Sequence, residues 1–274
     1  MSLVADVVAV GDVMLDVELD ELEPGARRHG PVHARAGGSA VTAALAAAKA
    51  GASAAVVGRI GHDAVGDVIA SELRRAGVAA VLARDAVRPT GLCVAATAQR
   101  AVVAARGANA GFEPGDVPES LQAAAVLVSG YLLLHEDSTA GARVGLDRAD
   151  ATWVAVDAAT AADARFFERA AGANAVFASA DAARALTGAG PAEAARRLGH
   201  RYRLAAVTAG RDGAFVCLGG TLFAERPASQ APSDRIGSGD VFAGFLLGSL
   251  TRGADPADAV RSAVDRAARH AGAT

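Results

Sequence analysis

Between residues 125 and 208 the chain alternates short apolar runs with helix-forming stretches, and this alternation narrows the available folds more than any other feature. Runs at 125–129, 152–157, 175–178 and 204–208 have the length and composition of buried strands. Between them, helices are predicted from about 137, from about 163, over 181–187 and over 192–199. Strands separated by helices cannot pair through tight turns. Each crossover must travel back over the sheet, which predicts an α/β fold with a central, mostly parallel sheet and helices on both faces. The same order opens the chain, with a strand at 4–10, an alanine-rich helix from Ser39 to Ala50 stopped by Gly51, and a strand at "SAAVVG". A helix follows, with Val65, Val68, Ile69 and Leu73 at helical spacing and Gly77 at its end. The C-terminal part reads as a hairpin turning at Gly219 and Gly220, then helices over 239–251 and about 256–270.

Two segments do not fit a wound sheet. The stretch 13–36 is polar and irregular, with Pro24, Gly25, Gly30 and Pro31, and 88–106 carries β-type runs broken near Gln99 and Arg100, as in a hairpin. We expect them to join as a small β lid inserted in one domain spanning 1–274, since no linker is long enough to separate independent domains.

Composition excludes several functions. No run of about 18 apolar residues is free of charge or glycine, so no membrane span is expected. No cleavable leader opens the chain, which points to the cytoplasm. A net charge of -3 with scattered arginines gives no nucleic-acid footprint. Cys93 and Cys217, without a CxxC partner, are expected to be reduced core residues. The sole lysine, Lys49, lies in no GxxxxGK[ST] and excludes a P-loop; it reads as a solvated cation at a helix end. The histidines suggest no metal site.

The chemistry-bearing stretch is "IGSGD" at 236–240. Gly237 and Gly239 let backbone N–H groups approach an anion, and a helix opening near Asp240 adds partial positive charge. By itself, Asp240 could be a carboxylate answering the helix dipole or a general base that takes a proton from an attacking hydroxyl.

"GGSAVTAALAAAKAGASAAVVGRIGHDAVGD", followed far downstream by "DRIGSGDVFAGFLLGSL", resembles the two signature regions of the ribokinase-like (PfkB) carbohydrate kinases. "VVAVGDVMLDV", "RGANA" at 106, "VLVSGYLLL" at 126 and "VTAGRDGAFV" at 207 resemble intermediate stretches in the same order. The resemblance implies ATP-dependent transfer of the γ-phosphoryl group to a primary hydroxyl of a sugar or sugar-like substrate, with Mg²⁺. It implies that Asp240 is the catalytic base and Gly237, Ser238 and Gly239 the anion hole. Thr208, Gly210 and Gly213 match the nucleotide-side TxGxxG, and Asp16, Gly37 and Gly38 match positions that face the sugar. Asp12 could bind paired hydroxyls or cap a turn, and Tyr131 could face the sugar or end a strand.

The chain departs from the family pattern in four places. Thr42 stands where the family usually has Asn, and Asp234 with Arg235 replaces its aspartate-threonine pair. Ser179 and Ala182 occupy the positions of an Asn-x-x-Glu motif that organises magnesium and phosphate, with Asp181 beside the gap. The ending "HAGAT" shortens the region that holds a monovalent cation in relatives, so potassium activation is left open. The rival readings are a catalytically weak or inactive sugar or nucleotide sensor on this fold, motivated by Ser179 and Ala182, and a nucleoside kinase of the same fold. A dinucleotide oxidoreductase is disfavoured because the glycines do not follow the first strand. Open edges of the lid are expected to allow homodimerisation.

Overall fold

The structure, a computed structural model, describes residues 2–272 except 23, 24, 26, 28, 100, 162, 163 and 229–235. In chain order the strands are β1 (Ser2–Val10), β2 (Met14–Leu19), β3 (Val32–Gly37), β4 (Ala54–Gly61), β5 (Ala79–Asp85), β6 (Gly91–Ala96), β7 (Ala101–Ala105), β8 (Ser120–Val128), β9 (Ala149–Asp157), β10 (Ala175–Ser179), β11 (Leu204–Thr208), β12 (Ala214–Leu218) and β13 (Thr221–Glu225). The helices are α1 (Ser39–Lys49), α2 (Ala64–Arg75), α3 (Gly130–Leu134), α4 (Thr139–Asp147), α5 (Arg165–Arg169), α6 (Ala180–Thr187), α7 (Pro191–Gly199), α8 (Ser238–Thr251) and α9 (Pro256–Gly272).

Nine strands form the main sheet in the order β13-β12-β11-β10-β9-β8-β1-β4-β5. Every pair from β5 to β11 is parallel, and the β12/β13 hairpin adds an antiparallel edge. Strand parity explains why β1 is apolar throughout its second half. Val7 and Ala9 pack with α1, α8 and α9 on one face, while Val8 and Val10 pack with residues of α4 to α7 on the other, and all four are fully buried. A strand covered on both faces has no polar side, hence an apolar run rather than an alternating one.

The two segments that resist the wound sheet form a second, four-stranded sheet, β3-β2-β6-β7. β6 and β7 pair antiparallel as the hairpin expected from the break near Gln99, and β2 lies parallel to β6 and antiparallel to β3. β5 is an addition to the elements anticipated from sequence. It edges the main sheet, and its residues are mostly exposed or half-buried, so it carries little apolar signal. α3 also escapes sequence analysis, since five residues are too few to display a helical period.

α1 and α8 pack without intervening side chains. A Cβ on Gly244 would lie 2.0 Å from the Ala43 carbonyl oxygen, and one on Gly248 would lie 3.0 Å from Ala47 Cα. Alanine on one helix and glycine on the other bring the two backbones into direct contact. Among the described residues, no helix is long and apolar enough to cross a membrane.

Candidate active site

The chain leaves β1 toward β4 on one side and later returns through β8 on the other, so strand order reverses between β1 and β8. Ligands of open α/β sheets bind in the crevice outside the carboxyl ends at such a point. Asp12 and Ser129 stand there, just beyond β1 and β8. Asp12 is 4% exposed, and Ser129 Oγ donates to its Oδ2 over 3.3 Å. Ser39 Oγ donates in turn to Ser129 Oγ at 2.8 Å, and the same hydroxyl caps α3 by accepting from Tyr131 N. Burial raises the Asp12 carboxyl above its ordinary range, against the pull of Arg106 and the Ser129 bond. Asn109 fixes the following loop: its Oδ1 accepts from Val13 N at 2.9 Å and its Nδ2 donates to Val13 O at 3.0 Å.

The small sheet carries Asp16, 3% exposed, on β2, opposite Arg35 of β3 and Cys93 of β6. Gly37 makes this placement possible. A Cβ there would lie 2.0 Å from Asp16 Oδ2, so any larger residue would displace the carboxylate. Burial pushes Asp16 up to about 6, partly offset by the Arg35 guanidinium and the Gly38 backbone. Arg35 also donates to Glu18 Oε1 at 2.6 Å and to the Ile236 carbonyl at 3.5 Å; His270 Nε2 lies 3.1 Å from that carbonyl.

α8 starts at Ser238, two residues earlier than a helix mouth at Asp240 would require, so Asp240 sits inside its first turn. Gly237 turns the chain into the helix with φ 81°, a conformation that favours glycine, and a Cβ on it would approach Thr42 Cγ2 to 3.2 Å. Thr42 therefore presents its methyl group to the loop. Asp240 is partly buried and lines one crevice with Asp157, Ser39 and Ser129. Burial raises it well above the carboxylate range, and the negative charges of Asp157, Asp16 and Asp12 raise it further. Tyr131, 42% exposed, has its phenol pushed up to about 12 by burial and then by Asp157, Asp240 and Asp12. Gly38 closes this group of residues at the start of α1 with φ 85°.

Asp157 was not singled out from sequence. It ends β9 among alanines, and no motif marks it; only the pairing of β9 with β8 carries it to the crevice. Its Oδ2 accepts from Gly130 N at 3.0 Å and its Oδ1 from Ala159 N at 2.7 Å. Burial raises it to about 6, and Asp12 adds to the shift.

Thr208, Gly210 and Gly213 form a second group. Thr208 ends β11, and the turn that follows has φ 55° at Gly210 and 84° at Gly213. β11 lies four strands from β1, hence about 19 Å away along the same carboxyl edge. Between them, Ser179 ends β10, where its hydroxyl caps α6 by accepting from Ala182 N at 3.2 Å. Asp181 is exposed, and Asp234 and Arg235 lie outside the described residues. Lys49 is exposed in the last turn of α1, and both cysteines are free and buried, as composition suggested.

The profile of the pfkB family carbohydrate kinases matches residues 4–271. The chain belongs to this family. The PfkB kinases are phosphotransferases, and the enzyme class of this member follows from its membership. Solved structures show the same fold. An adenosine kinase from Sinorhizobium meliloti superposes with a TM-score of 0.80 at 22% identity, covering 96% of this chain and 92% of that one. An E. coli protein provisionally called ribokinase II, in complex with ATP and Mg²⁺, gives 0.85 at 15% identity, covering 98% and 94%. The aminoimidazole riboside kinase of Salmonella enterica, complexed with aminoimidazole riboside and an ATP analog, gives 0.78 at 20%, covering 98% and 94%. No curated protein sequence matches this chain.

Proposed function

We propose that this PfkB kinase transfers the γ-phosphoryl group of ATP to a primary hydroxyl of a sugar or sugar-like acceptor, with Asp240 as general base. One observation carries the reading: Asp240, in the first turn of α8, lines the switch-point crevice, and its Oδ2 lies 3.8 Å from a Cβ placed on Gly237, beside backbone N–H groups that can receive an anion. In this reading Asp12 and Asp16 accept hydrogen bonds from acceptor hydroxyls, Gly37 and Gly38 bring the backbone close to the sugar, and Tyr131 and Thr42 flank the acceptor. The acceptor hydroxyl gives its proton to Asp240 as its oxygen attacks phosphorus. Gly237, Ser238 and Gly239 then stabilise the charge on the phosphoryl oxygens. Among the described residues, nothing lies within 4 Å of a Cβ placed on Gly239, which leaves room for a phosphate against the backbone. The turn at Thr208, Gly210 and Gly213 receives the nucleotide, at a distance that suits a triphosphate reaching toward Asp240.

For Mg²⁺ the fit is partial. Among the described residues, no three His, Cys, Asp or Glu side chains are grouped to hold a metal, and Ser179 is occupied as a helix cap. The ion would be carried mainly by phosphate oxygens and water, a common arrangement for magnesium, and would neutralise phosphate charge. The small sheet acts as a lid that excludes water from the acceptor. Its edges, β3 and β7, are where we expect a second copy to pair.

The capping role of Ser179 and the absence of a carboxylate at Ala182 favour one second reading, a sensor that binds sugar or nucleotide without turnover. ADP release measured across a panel of sugars and nucleosides separates the two. Asp240→Asn should lower kcat by about 10² to 10⁴-fold and leave ATP affinity unchanged. Turnover at the parent rate in that variant would remove Asp240 from the role of base.

A further inference from the structure

The reaction as proposed makes no use of Asp157, yet the chain goes to some length to fix this side chain. Its carboxylate and that of Asp240 line the same crevice above β1 and β8, one from the end of β9 and the other from α8. Each oxygen of Asp157 is held by a backbone donor, Gly130 N at 3.0 Å and Ala159 N at 2.7 Å. The second donor belongs to a turn in which Ala159 adopts φ 43°; among the described residues it is the sole non-glycine with positive φ. An alanine in the left-handed region is unfavourable and persists where its surroundings hold it. Here the Asp157 carboxylate does so, and the turn holds in place a residue that lines the crevice.

We propose that Asp157 is a positioning residue that acts through Asp240: its negative charge, fixed by two backbone donors in the crevice that both residues line, makes Asp240 a stronger base toward the acceptor hydroxyl. The inference rests on Asp240 being the base. Several elements present polar or charged groups to this region. Asp157 of β9, Asp16 of β2 and Asp12 of the loop after β1 act on Asp240 by their charge, and Asp240 in turn acts on the Tyr131 phenol of α3. α1 contributes the hydroxyl of Ser39 and the methyl group of Thr42, and α9 brings His270 to the Ile236 carbonyl just ahead of α8. Arg106 and His135 act on Asp12, while Arg35 acts on Asp16 and is bonded to Glu18. Of the carboxylates that raise Asp240, Asp157 acts most strongly, ahead of Asp16 and Asp12. Two carboxylates in one poorly hydrated crevice cannot both ionise in the ordinary range, and a proton stays with the pair toward neutral pH. A general base works best when its proton affinity is matched to that region.

Carboxyl NMR of the full chain labelled with ¹³C-aspartate, with Asp240→Asn assigning the resonance, measures the proton affinity of Asp240 directly. Asp157→Asn removes the charge and keeps an acceptor for Ala159 N. In this variant the Asp240 midpoint should fall by about one pH unit or more, and the acid limb of kcat/KM should move down with it. Ala159→Gly relaxes the turn, keeps the charge, and should move neither. If Asp157→Asn does not fold, Asp157→Ser, whose hydroxyl still accepts a hydrogen bond, carries the same test. An unmoved Asp240 midpoint in an active enzyme overturns the inference alone. A midpoint that moves while the acid limb stays fixed overturns the link to the reaction. A parent enzyme that releases no ADP with any acceptor, or an Asp240→Asn variant with full activity, sinks the base assignment and this inference with it.

Discussion

At one end of the site, over β1, β8 and β9, Asp157 and Asp240 line one crevice, and the charges of Asp12 and Asp16 reach Asp240. At the other end, over β10 and β11, the chain offers two glycines with positive φ, the Thr208 hydroxyl and the start of α6, whose nearby acidic side chain, Asp181, is exposed. The contrast follows from what each end is proposed to bind. Sugar hydroxyls need directional acceptors, which carboxylates supply at a desolvation cost visible in their raised proton affinities. A polyphosphate needs donors and would be repelled by carboxylates, so backbone N–H groups and helix starts suit it. On this proposal, acceptor recognition would depend on individual side chains and nucleotide recognition on chain conformation.

The sharpest way to break this contrast is to disturb one carboxylate by packing alone. In Gly37→Ala the new Cβ occupies the space of Asp16 Oδ2, so kcat/KM for the acceptor should fall by about 100-fold while ATP affinity is kept. Steady-state kinetics together with ATP calorimetry checks both halves, and an equal loss of ATP binding would erase the distinction between the ends.

A smaller effect measures the cost of the acceptor end. Folded Asp16 keeps its proton up to about pH 6, while in the unfolded chain it loses it near pH 3.9. Through that window the folded state binds the extra proton, so the parent loses stability as pH rises. Asp16→Asn carries no such proton, and its stability relative to the parent should rise by about 1–2 kcal/mol between about pH 4 and pH 7. Denaturant unfolding at the two pH values measures this, and a constant difference would mean that the buried carboxylate is not under electrostatic strain.

The smallest effect is expected at the nucleotide end. Ser179→Ala removes the α6 cap and should cost about 1 kcal/mol of stability, with KM for ATP unchanged. An order-of-magnitude rise in that KM would show that Ser179 contacts phosphate and that this end also depends on a side chain.

The same division separates what sequence could and could not reveal. The wound sheet was readable because β8 to β11 are apolar runs separated by helical stretches. The β6/β7 hairpin was readable because Gln99 and Arg100 interrupt an apolar pattern. β2 and β3 read only as an irregular excursion, since β3 is largely exposed and polar. Gly237 and Asp240 announce themselves through glycine spacing before a helix. Asp157 does not, because its relevance arises from strand order: β9 lies beside β8, and nothing local to "VDAAT" encodes that adjacency. Asn109 was quoted within "RGANA", but its clamp on Val13 is a contact across 96 positions and has no local signature.

Where glycine of α8 meets alanine of α1, no side chain can rearrange to let one helix slide over the other. α1 begins directly after Gly38 and α8 directly after Gly237, so the two glycine corners ride on a single stiff strut. If the small sheet closes over the site as proposed, it would have to swing on its own connections, because the α1–α8 contact ties the two corners together.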